Sequence, residues 1–367
     1  INICETTQDI NTGRMRIALV QMRCTDSKQA NGADTVTLAS ILASVAINLG
    51  GGTDTLNLGN FINTGTVSGV EVINGNAGDD TITVATGITS GTVNLGGGSD
   101  TLNLGNFTNS LTVTNVENLQ GGLAGDTVTL TSTLTGMSIN LRGGSDILNL
   151  ANVANTGSVA GVERINGNAA ADTITLSTSV TSGIIDLGAG TDSLTLEGTL
   201  NSVRVSNVET VFGGIGSDAV TNGGSNAVTF FAGGGIDTYT GGTGVDTIVI
   251  ANASVNDLVT VKSFRVSGAD KIALDIAGNS TYSGDAFDIG GLTLQAGVNI
   301  ASVADFDDLL ATSLPNGGSG GFVYTADSGS LYYAEDGDFS GGGTLVAVIQ
   351  ASGTTPWTFD IGGFMLV

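Results

Sequence analysis

A repeat of 46 residues constrains the fold of this chain more than any other feature. Four glutamates, Glu71, Glu117, Glu163 and Glu209, follow one another at this interval. A series of aspartates precedes strand-like segments, and the intervals between successive aspartates are alternately shorter and longer. One shorter and one longer interval make one repeat, and no insertion interrupts the series: Asp34, Asp54, Asp80, Asp100, Asp126, Asp146, Asp172, Asp192 and Asp218. An unbroken register of this kind is typical of repeat proteins in which each unit stacks on the previous one.

The segments that follow the aspartates have the pattern of β-strands. They read "DTVTL" or "DTITV" at one position of the repeat and "DTLNL" or "DSLTL" at the other. The second and fourth residues after Asp are aliphatic and the intervening ones are polar, so one side of the strand faces a core. We therefore predict an all-β fold: a right-handed parallel β-solenoid with two coils in each 46-residue repeat. The 58 glycines lack a three-residue period and the apolar fraction is 40%, which excludes collagen and a disordered chain.

The repeat, and the positions at which its period changes or ends, predict four regions of the chain. Residues 1–31 form an N-terminal segment, 32–212 the 46-residue-repeat solenoid, 213–250 a β-roll of shorter repeats, and 251–367 a β-rich C-terminal module. Within the first region, "MRIALVQMRCTDSKQAN" (residues 15–31) resembles the first strand of nitrilase-type carbon–nitrogen hydrolases. No hydrolase body follows, and we expect this strand to act as a cap or an assembly strand. Cys4 and Cys24 form a disulfide or remain two free thiols.

The charge of the chain limits the classes of partner that it can bind. The formal net charge is -24 and histidine is absent. Nucleic acid is a poor partner for such an acidic chain, because phosphate binding needs clustered Lys and Arg. No stretch is long and apolar enough to span a membrane. Carboxylate repulsion within a compact body would be relieved by a divalent cation, and oxygen ligands without His or Cys favour Ca²⁺.

Glycine-rich corners carry the carboxylates. The rows "GGIGSD", "AGGGID" and "GGTGVD" resemble the RTX nonapeptide, Gly-Gly-x-Gly-x-Asp-x-aliphatic-x, and "GNAGDDTI" resembles a variant of it. The resemblance implies calcium bound between coils, since glycine lets carbonyl groups turn toward the carboxylate. The alternative is that Asp and Gly are ordinary turn residues. The predicted metal ligands are Asp54, Asp79, Asp80, Asp100, Asp126, Asp146, Asp172, Asp192, Gly213, Gly214, Gly216, Asp218, Gly233, Gly235, Asp237, Gly242, Gly244, Asp246, Asp336 and Asp338.

Two further features leave alternatives open. The glutamate column could provide ligands, but its aliphatic neighbours favour a solvated edge. The stretch "YYAEDGD", which contains Asp336 and Asp338, is either a calcium site or a plain acidic hairpin turn. Together with "ADKIALDI" and the apolar end "FMLV", it resembles the C-terminal module of RTX proteins exported by type I secretion. That resemblance implies an extracellular or cell-surface location.

The functional predictions follow from these features. Without histidine there is no Ser-His-Asp triad and no HExxH zinc site, and an active site normally interrupts a repeat, so we expect no enzyme. The Thr/Asn-rich repeats resemble bacterial surface-layer proteins. We expect a secreted, calcium-binding structural protein that assembles with itself into a layer or filament, with cell-surface polysaccharide as a further partner. The alternatives are an adhesin with the solenoid as spacer and, from the Thr-x-Thr pairs, an ice-binding protein.

Overall fold

The structure, a computed structural model, describes residues 32–198, 200–250, 258–265, 270–274, 300–303, 321–334, 338–351 and 364–366. Every regular element in these ranges is a β-strand. The chain divides into two compact units, Ile1–Asn168 and Ala169–Val367. The N-terminal segment 1–31, predicted as a cap or assembly strand, lies outside the described residues.

The first unit is built from two parallel sheets between which the chain alternates. Its first sheet contains, in order of pairing, β1 (Thr35–Thr37), β3 (Thr55–Asn57), β5 (Val72–Asn74), β7 (Thr89–Asn94), β9 (Ser110–Thr114), β11 (Thr127–Leu130), β13 (Ile147–Asn149) and β15 (Arg164–Asn168). Its second sheet contains β2 (Ala43–Asn48), β4 (Thr64–Ser68), β6 (Thr81–Val84), β8 (Thr101–Asn103), β10 (Asn118–Gln120), β12 (Ser138–Asn140) and β14 (Thr156–Ala160). One strand from each sheet makes one coil, and the predicted parallel β-solenoid is confirmed.

The number of coils in a repeat differs from the expected two. In the first sheet Thr35 pairs with Thr55 and Thr55 pairs with Val72, so the chain returns to the same sheet after fewer residues than half a repeat. Five strands, β1 to β5, therefore fit between Thr35 and Thr81, and a repeat holds two and a half coils. Equivalent residues of successive repeats consequently lie in opposite sheets: Thr35 is in the first sheet and Thr81 in the second.

The aliphatic positions of the strands form the core. In the first sheet Leu56 pairs with Ile73 and Ile73 with Val93, and all three side chains are fully buried. In the second sheet Ile82 pairs with Leu102 in the same way. The threonines and asparagines between them face outward, as the period of two predicts. Each such side chain contributes about 1.5 to 3 kcal/mol of apolar burial, so the stack of coils is held by continuous aliphatic columns.

The second unit repeats this architecture and then changes it. One parallel sheet contains β16 (Thr173–Leu176), β18 (Ser193–Leu196), β20 (Thr210–Phe212), β22 (Thr229–Phe231), β24 (Thr247–Ile250), β26 (Lys271–Leu274) and β31 (Phe364–Leu366). The other contains β17 (Thr181–Gly188), β19 (Leu200–Ser206), β21 (Ser217–Asn222), β23 (Ile236–Thr240), β25 (Leu258–Phe264) and β30 (Thr344–Ala351), all parallel.

Antiparallel pairing begins only near the C-terminus. β28 (Gly321–Thr325) and β29 (Ser330–Ala334) form a hairpin, and β29 also pairs antiparallel with β30. β27 (Ile300–Val303) pairs parallel with β28. Val323, Ala334 and Phe339 form a small apolar cluster of their own. The C-terminal part of the chain is thus β-rich, as the sequence predicts.

Candidate metal-binding corners

The loops that join the two sheets place carboxylates of successive coils in hydrogen-bonded ladders. At one corner of the first unit, the Asn63 N–H donates to Asp80 Oδ1 (2.8 Å) and the Asp80 N–H to Asp100 Oδ1 (2.7 Å). The Asp100 N–H then donates to Glu117 Oε2 (2.7 Å). Each bond joins one coil to the next. The ladder Asn–Asp–Asp–Glu therefore runs across the strands and links four coils.

The same kind of ladder recurs on the opposite edge of this unit and again in the second unit. The hydrogen bonds run from each backbone N–H to the next carboxylate, with distances of 2.7 to 3.0 Å: Asp34 to Asp54 to Glu71; Asn109 to Asp126 to Asp146 to Glu163; Asp172 to Asp192 to Glu209; Asn201 to Asp218 to Asp237. The aspartates predicted to stack across coils are thus brought together in pairs from adjacent coils.

The aspartates of the ladders lie inside the protein. From Asp54 onward their exposure is 2% or less. One oxygen accepts an amide of the preceding coil in Asp54, Asp80, Asp100, Asp126, Asp146, Asp192, Asp218 and Asp237. The second oxygen, Oδ2, has no hydrogen-bond partner in seven of them: Asp54, Asp80, Asp100, Asp126, Asp146, Asp192 and Asp218. A buried, unpartnered carboxylate oxygen costs free energy unless it holds a proton or contacts a cation.

Glycine makes room for these oxygens. A Cβ at Gly75 would lie 2.6 Å from Asp80 Oδ2 and 2.1 Å from the Leu95 carbonyl oxygen. The loop then turns through Asn76 and Gly78, which have positive φ angles of 76° and 111°. Loop carbonyls and a carboxylate oxygen consequently crowd the same side of the corner, which is the donor set that hard cations such as Ca²⁺ take.

Burial changes the acidity of the ladder. Desolvation by burial, with a smaller contribution from neighbouring carboxylates, raises the pKa of Asp100, Asp146 and Asp192 from 3.8 to about 6. Burial also raises the pKa of Asp80 and Asp126, although hydrogen bonds from Asn63 and Asn109 oppose the shift. The pKa values of Asp218 and Asp246 shift in the same direction for the same first cause. Asp100, Asp146 and Asp192 are therefore protonated below about pH 6, and at neutral pH they carry a charge that burial disfavours.

The asparagines of the ladders were not among the predicted site residues. Asn63 is fully buried, and its Oδ1 accepts the Leu42 N–H (2.9 Å). Its Nδ2 donates to Asp80 Oδ1 and to the carbonyls of Gly59 and Phe61. Asn109 makes similar bonds in its own coil, with the Leu104 carbonyl in place of a glycine carbonyl. The regular spacing of Asn63, Asn109, Asn155 and Asn201, one in each repeat, was the signal that could have identified them.

The glutamates have a role other than the solvated edge that the sequence favoured. Glu71, Glu117, Glu163 and Glu209 are half-buried, and each accepts the backbone N–H of a ladder aspartate. They are the last acceptors of their ladders and are less buried than the aspartates.

The corners of residues 213–250 combine the same parts. Gly214, Gly233 and Gly235 have positive φ angles, and a Cβ at Gly233 would lie 1.9 Å from the Gly214 carbonyl oxygen, whereas one at Gly235 would lie 2.5 Å from that of Gly216. A Cβ at Gly213 would lie 3.2 Å from Asp218 Oδ2. The close stacking of these loops therefore requires glycine.

The carboxylate of Asp246 accepts more hydrogen bonds than that of Asp80 or Asp218. Its Oδ1 accepts Val228 N–H and Asn222 Nδ2 (both 3.0 Å), and its Oδ2 accepts Gly242 N–H (3.1 Å). Gly244 belongs to the same loop, where a Cβ would lie 2.0 Å from the Asn226 carbonyl oxygen. Asp237 and Asp246 precede core residues of opposite sheets and do not share a corner.

Two predicted ligands lie apart from the ladders, and a third lies outside the described residues. Asp79 is exposed, and its Oδ1 accepts the Ser99 N–H of the next coil (2.8 Å). Asp338 is also exposed, and its Oδ1 accepts the Ser340 N–H (2.9 Å). Asp336 belongs to residues 335–337, which the structure does not describe.

The described corners offer oxygen atoms of the kind that hard cations bind. Within the described ranges, no group of three or more His, Cys, Asp or Glu side chains is placed to hold a metal ion. A cation at a corner would be held by carboxylate oxygens of one or two coils together with loop carbonyls. Such a donor set suits calcium, which binds backbone carbonyl and carboxylate oxygens alike.

Fold and site define the class as a β-solenoid with internal carboxylate ladders. No protein-family model matches the chain, and no curated protein matches it. Among the described residues there is no helix of the length and apolarity needed to cross a membrane.

Proposed function

We propose that this chain is a secreted structural protein whose coils are joined by calcium and which assembles with itself into an extracellular layer or filament. The observation that carries the proposal is the series of buried aspartates whose second oxygen has no partner. Carboxylates in adjacent coils lie about 5 Å apart, the spacing of neighbouring strands. At an effective dielectric constant of about 20, two such charges repel by about 3 kcal/mol. A divalent cation between coils would replace that repulsion by attraction.

The sheet edges support self-association. Among the described residues, β1 pairs only with β3 and β2 only with β4, so within this part of the chain the other edge of each strand makes no sheet pairing. Open strand edges of this kind are templates for pairing with another chain. Head-to-tail pairing of one copy with the next would produce a filament. A heterologous contact that does not close into a ring can be repeated without limit.

The strand faces give less support to ice binding. The Thr-x-Thr pairs do not stack as one column, because Thr35 and Thr37 lie in the first sheet and Thr81 and Thr83 in the second. The adjacent positions of the first sheet carry Asn57, which donates to the Thr37 hydroxyl (3.1 Å). We therefore retain the structural role as the proposal and a spacer for an adhesin as the second candidate.

Circular dichroism and sedimentation of the full chain, first in chelator and then in millimolar calcium, test the proposal. We expect calcium to raise the unfolding temperature and to produce large ordered assemblies. A chain that folds with calcium but stays monomeric would favour the spacer. Equal stability in chelator and in calcium would contradict calcium binding at the corners, and magnesium at the same concentration controls for ionic strength.

A further inference from the structure

One corner of the second unit contains a cation that belongs to the chain itself. Arg265 follows β25 directly, and Asp270 directly precedes β26. The Arg265 guanidinium Nη2 donates to Asp270 Oδ1 (2.8 Å), and the Arg265 backbone N–H donates to Asp270 Oδ2 (2.7 Å). Asp270 is 2% exposed, whereas the arginine side chain is 33% exposed. The ion pair is therefore buried on its acidic side and open to solvent on its basic side.

The guanidinium also reaches the loop of the preceding coil. Its Nη1 donates to the Thr243 carbonyl oxygen (2.6 Å) and its Nη2 to the Gly244 carbonyl oxygen. These two residues belong to "GGTGVD", the loop that leads to Asp246. A positive group thus lies between two loop carbonyls of one coil and the carboxylate of the next. This is the donor set that the other corners present without a cation of their own.

Asp270 continues the ladder that runs through Asp246 and differs from aspartates of the earlier ladders. The Asp246 N–H donates to Asp270 Oδ1 (3.0 Å), as each earlier ladder member donates to the next. In Asp80 and Asp218, in contrast, the second oxygen has no partner. At Asp270 both oxygens have donors, and Arg265 supplies one to each. Asp246 also has donors on both oxygens, but they are backbone and amide N–H groups, whereas Asp270 receives a charged guanidinium.

We propose that Arg265 is a built-in cation that occupies the cation position of this corner, and that removing its guanidinium turns the corner into a calcium site. The proposal rests on the proposed function, in which calcium fills the other corners. Arginine stays charged throughout the accessible pH range and donates to several oxygens at fixed angles. This corner is consequently closed without metal.

Counting bound calcium in the full chain tests the proposal. Equilibrium dialysis or calorimetric titration compares the natural chain with Arg265→Ala, and Arg204→Ala is the matched control because its guanidinium donates to a single carbonyl, that of Gly223 (3.0 Å). We expect Arg265→Ala to bind one more calcium ion than the natural chain and to lose several degrees of unfolding temperature in chelator, which calcium restores. Arg204→Ala should leave the count unchanged.

Two further variants protect the test against simple misfolding. Arg265→Lys keeps a positive charge and should gain no ion, and Asp270→Asn combined with Arg265→Ala should lose the added ion. An unchanged count in Arg265→Ala, or a chain that stays unfolded even in calcium, would overturn the proposal. The number of calcium ions bound by the natural chain tests the proposed function separately. If the natural chain binds no calcium and Arg265→Ala binds one ion, calcium at the other corners is contradicted and the role of Arg265 stands.

Discussion

The buried carboxylates should make the calcium-free protein more stable in acid, the reverse of what paired surface carboxylates do. Folding raises the pKa of Asp100 from 3.8 to about 6, chiefly by burial. Its contribution to stability is therefore fully present below pH 3.8 and is lost as the pH rises through about 6. One pKa unit corresponds to about 1.4 kcal/mol, so ionising this carboxyl alone costs roughly 3 kcal/mol of unfolding free energy above about pH 7.

The substitution Asp100→Asn isolates this contribution. The amide cannot ionise, its oxygen can still accept the Asp80 N–H, and its NH₂ replaces the Oδ2 that has no partner. Near pH 4 the variant and the natural protein should be about equally stable, because the natural carboxyl is protonated there. At pH 7.5 without calcium, the variant should be more stable by roughly 3 kcal/mol.

Urea unfolding followed by circular dichroism, at several pH values between 4 and 7.5 in calcium-free buffer, measures this difference. Asp146 and Asp192, whose pKa values are also about 6, remain in the variant and preserve part of the pH dependence. Asp79→Asn is the matched control, since Asp79 has the same chemistry but is exposed. A difference between Asp100→Asn and the natural protein that does not change with pH would refute the reasoning. In saturating calcium the order should reverse, because the variant lacks a ligand.

Two further substitutions test the ladder and its loops. Asn109→Ala removes a buried amide that makes four hydrogen bonds and should cost about 2 to 4 kcal/mol of unfolding free energy in urea titrations, whereas Asn103→Ala on the outer face should change it by less than about 0.5 kcal/mol. Gly96→Ala should lower the unfolding free energy by more than about 1 kcal/mol, because Gly96 has a φ of 96° and a Cβ there would lie 1.7 Å from the Asn76 carbonyl oxygen. A Cβ at Gly97 would have no atom within 4 Å, so thermal melts should show no loss of stability for Gly97→Ala.

Strand identity and core positions could be predicted because they depend on local pattern. Alternation places Leu102 inside and Thr101 outside whatever coil they belong to. A carboxylate two residues before such a core position points to the same side, so the burial of Asp100 also follows from the alternation. The shorter of the two intervals, from Asp80 to Asp100, correctly placed these aspartates in adjacent coils.

Which residues of the ladder pair with one another could not be predicted, because the pairing depends on the length of a coil. The longer interval, from Asp54 to Asp80, exceeds one coil, so Asp54 precedes a strand of the first sheet and Asp80 a strand of the second. Instead, Asp54 meets Glu71 and Asp80 meets Asn63, each 17 residues away. No local signal gives this sequence separation, because it is the combined length of the two strands and two corners that make one coil.

The sequence by itself determined the repeat, the strands, the aliphatic columns and the inward direction of the carboxylates, because these are properties of alternation within a few residues. The tertiary structure decided that a repeat holds two and a half coils, that equivalent residues alternate between two sheets, and that asparagines and glutamates join the aspartates in the ladders. It also placed Arg265 beside Asp270. The physical reason is that a hydrogen bond between coils joins residues whose proximity is set by coil closure and not by their neighbours in the chain.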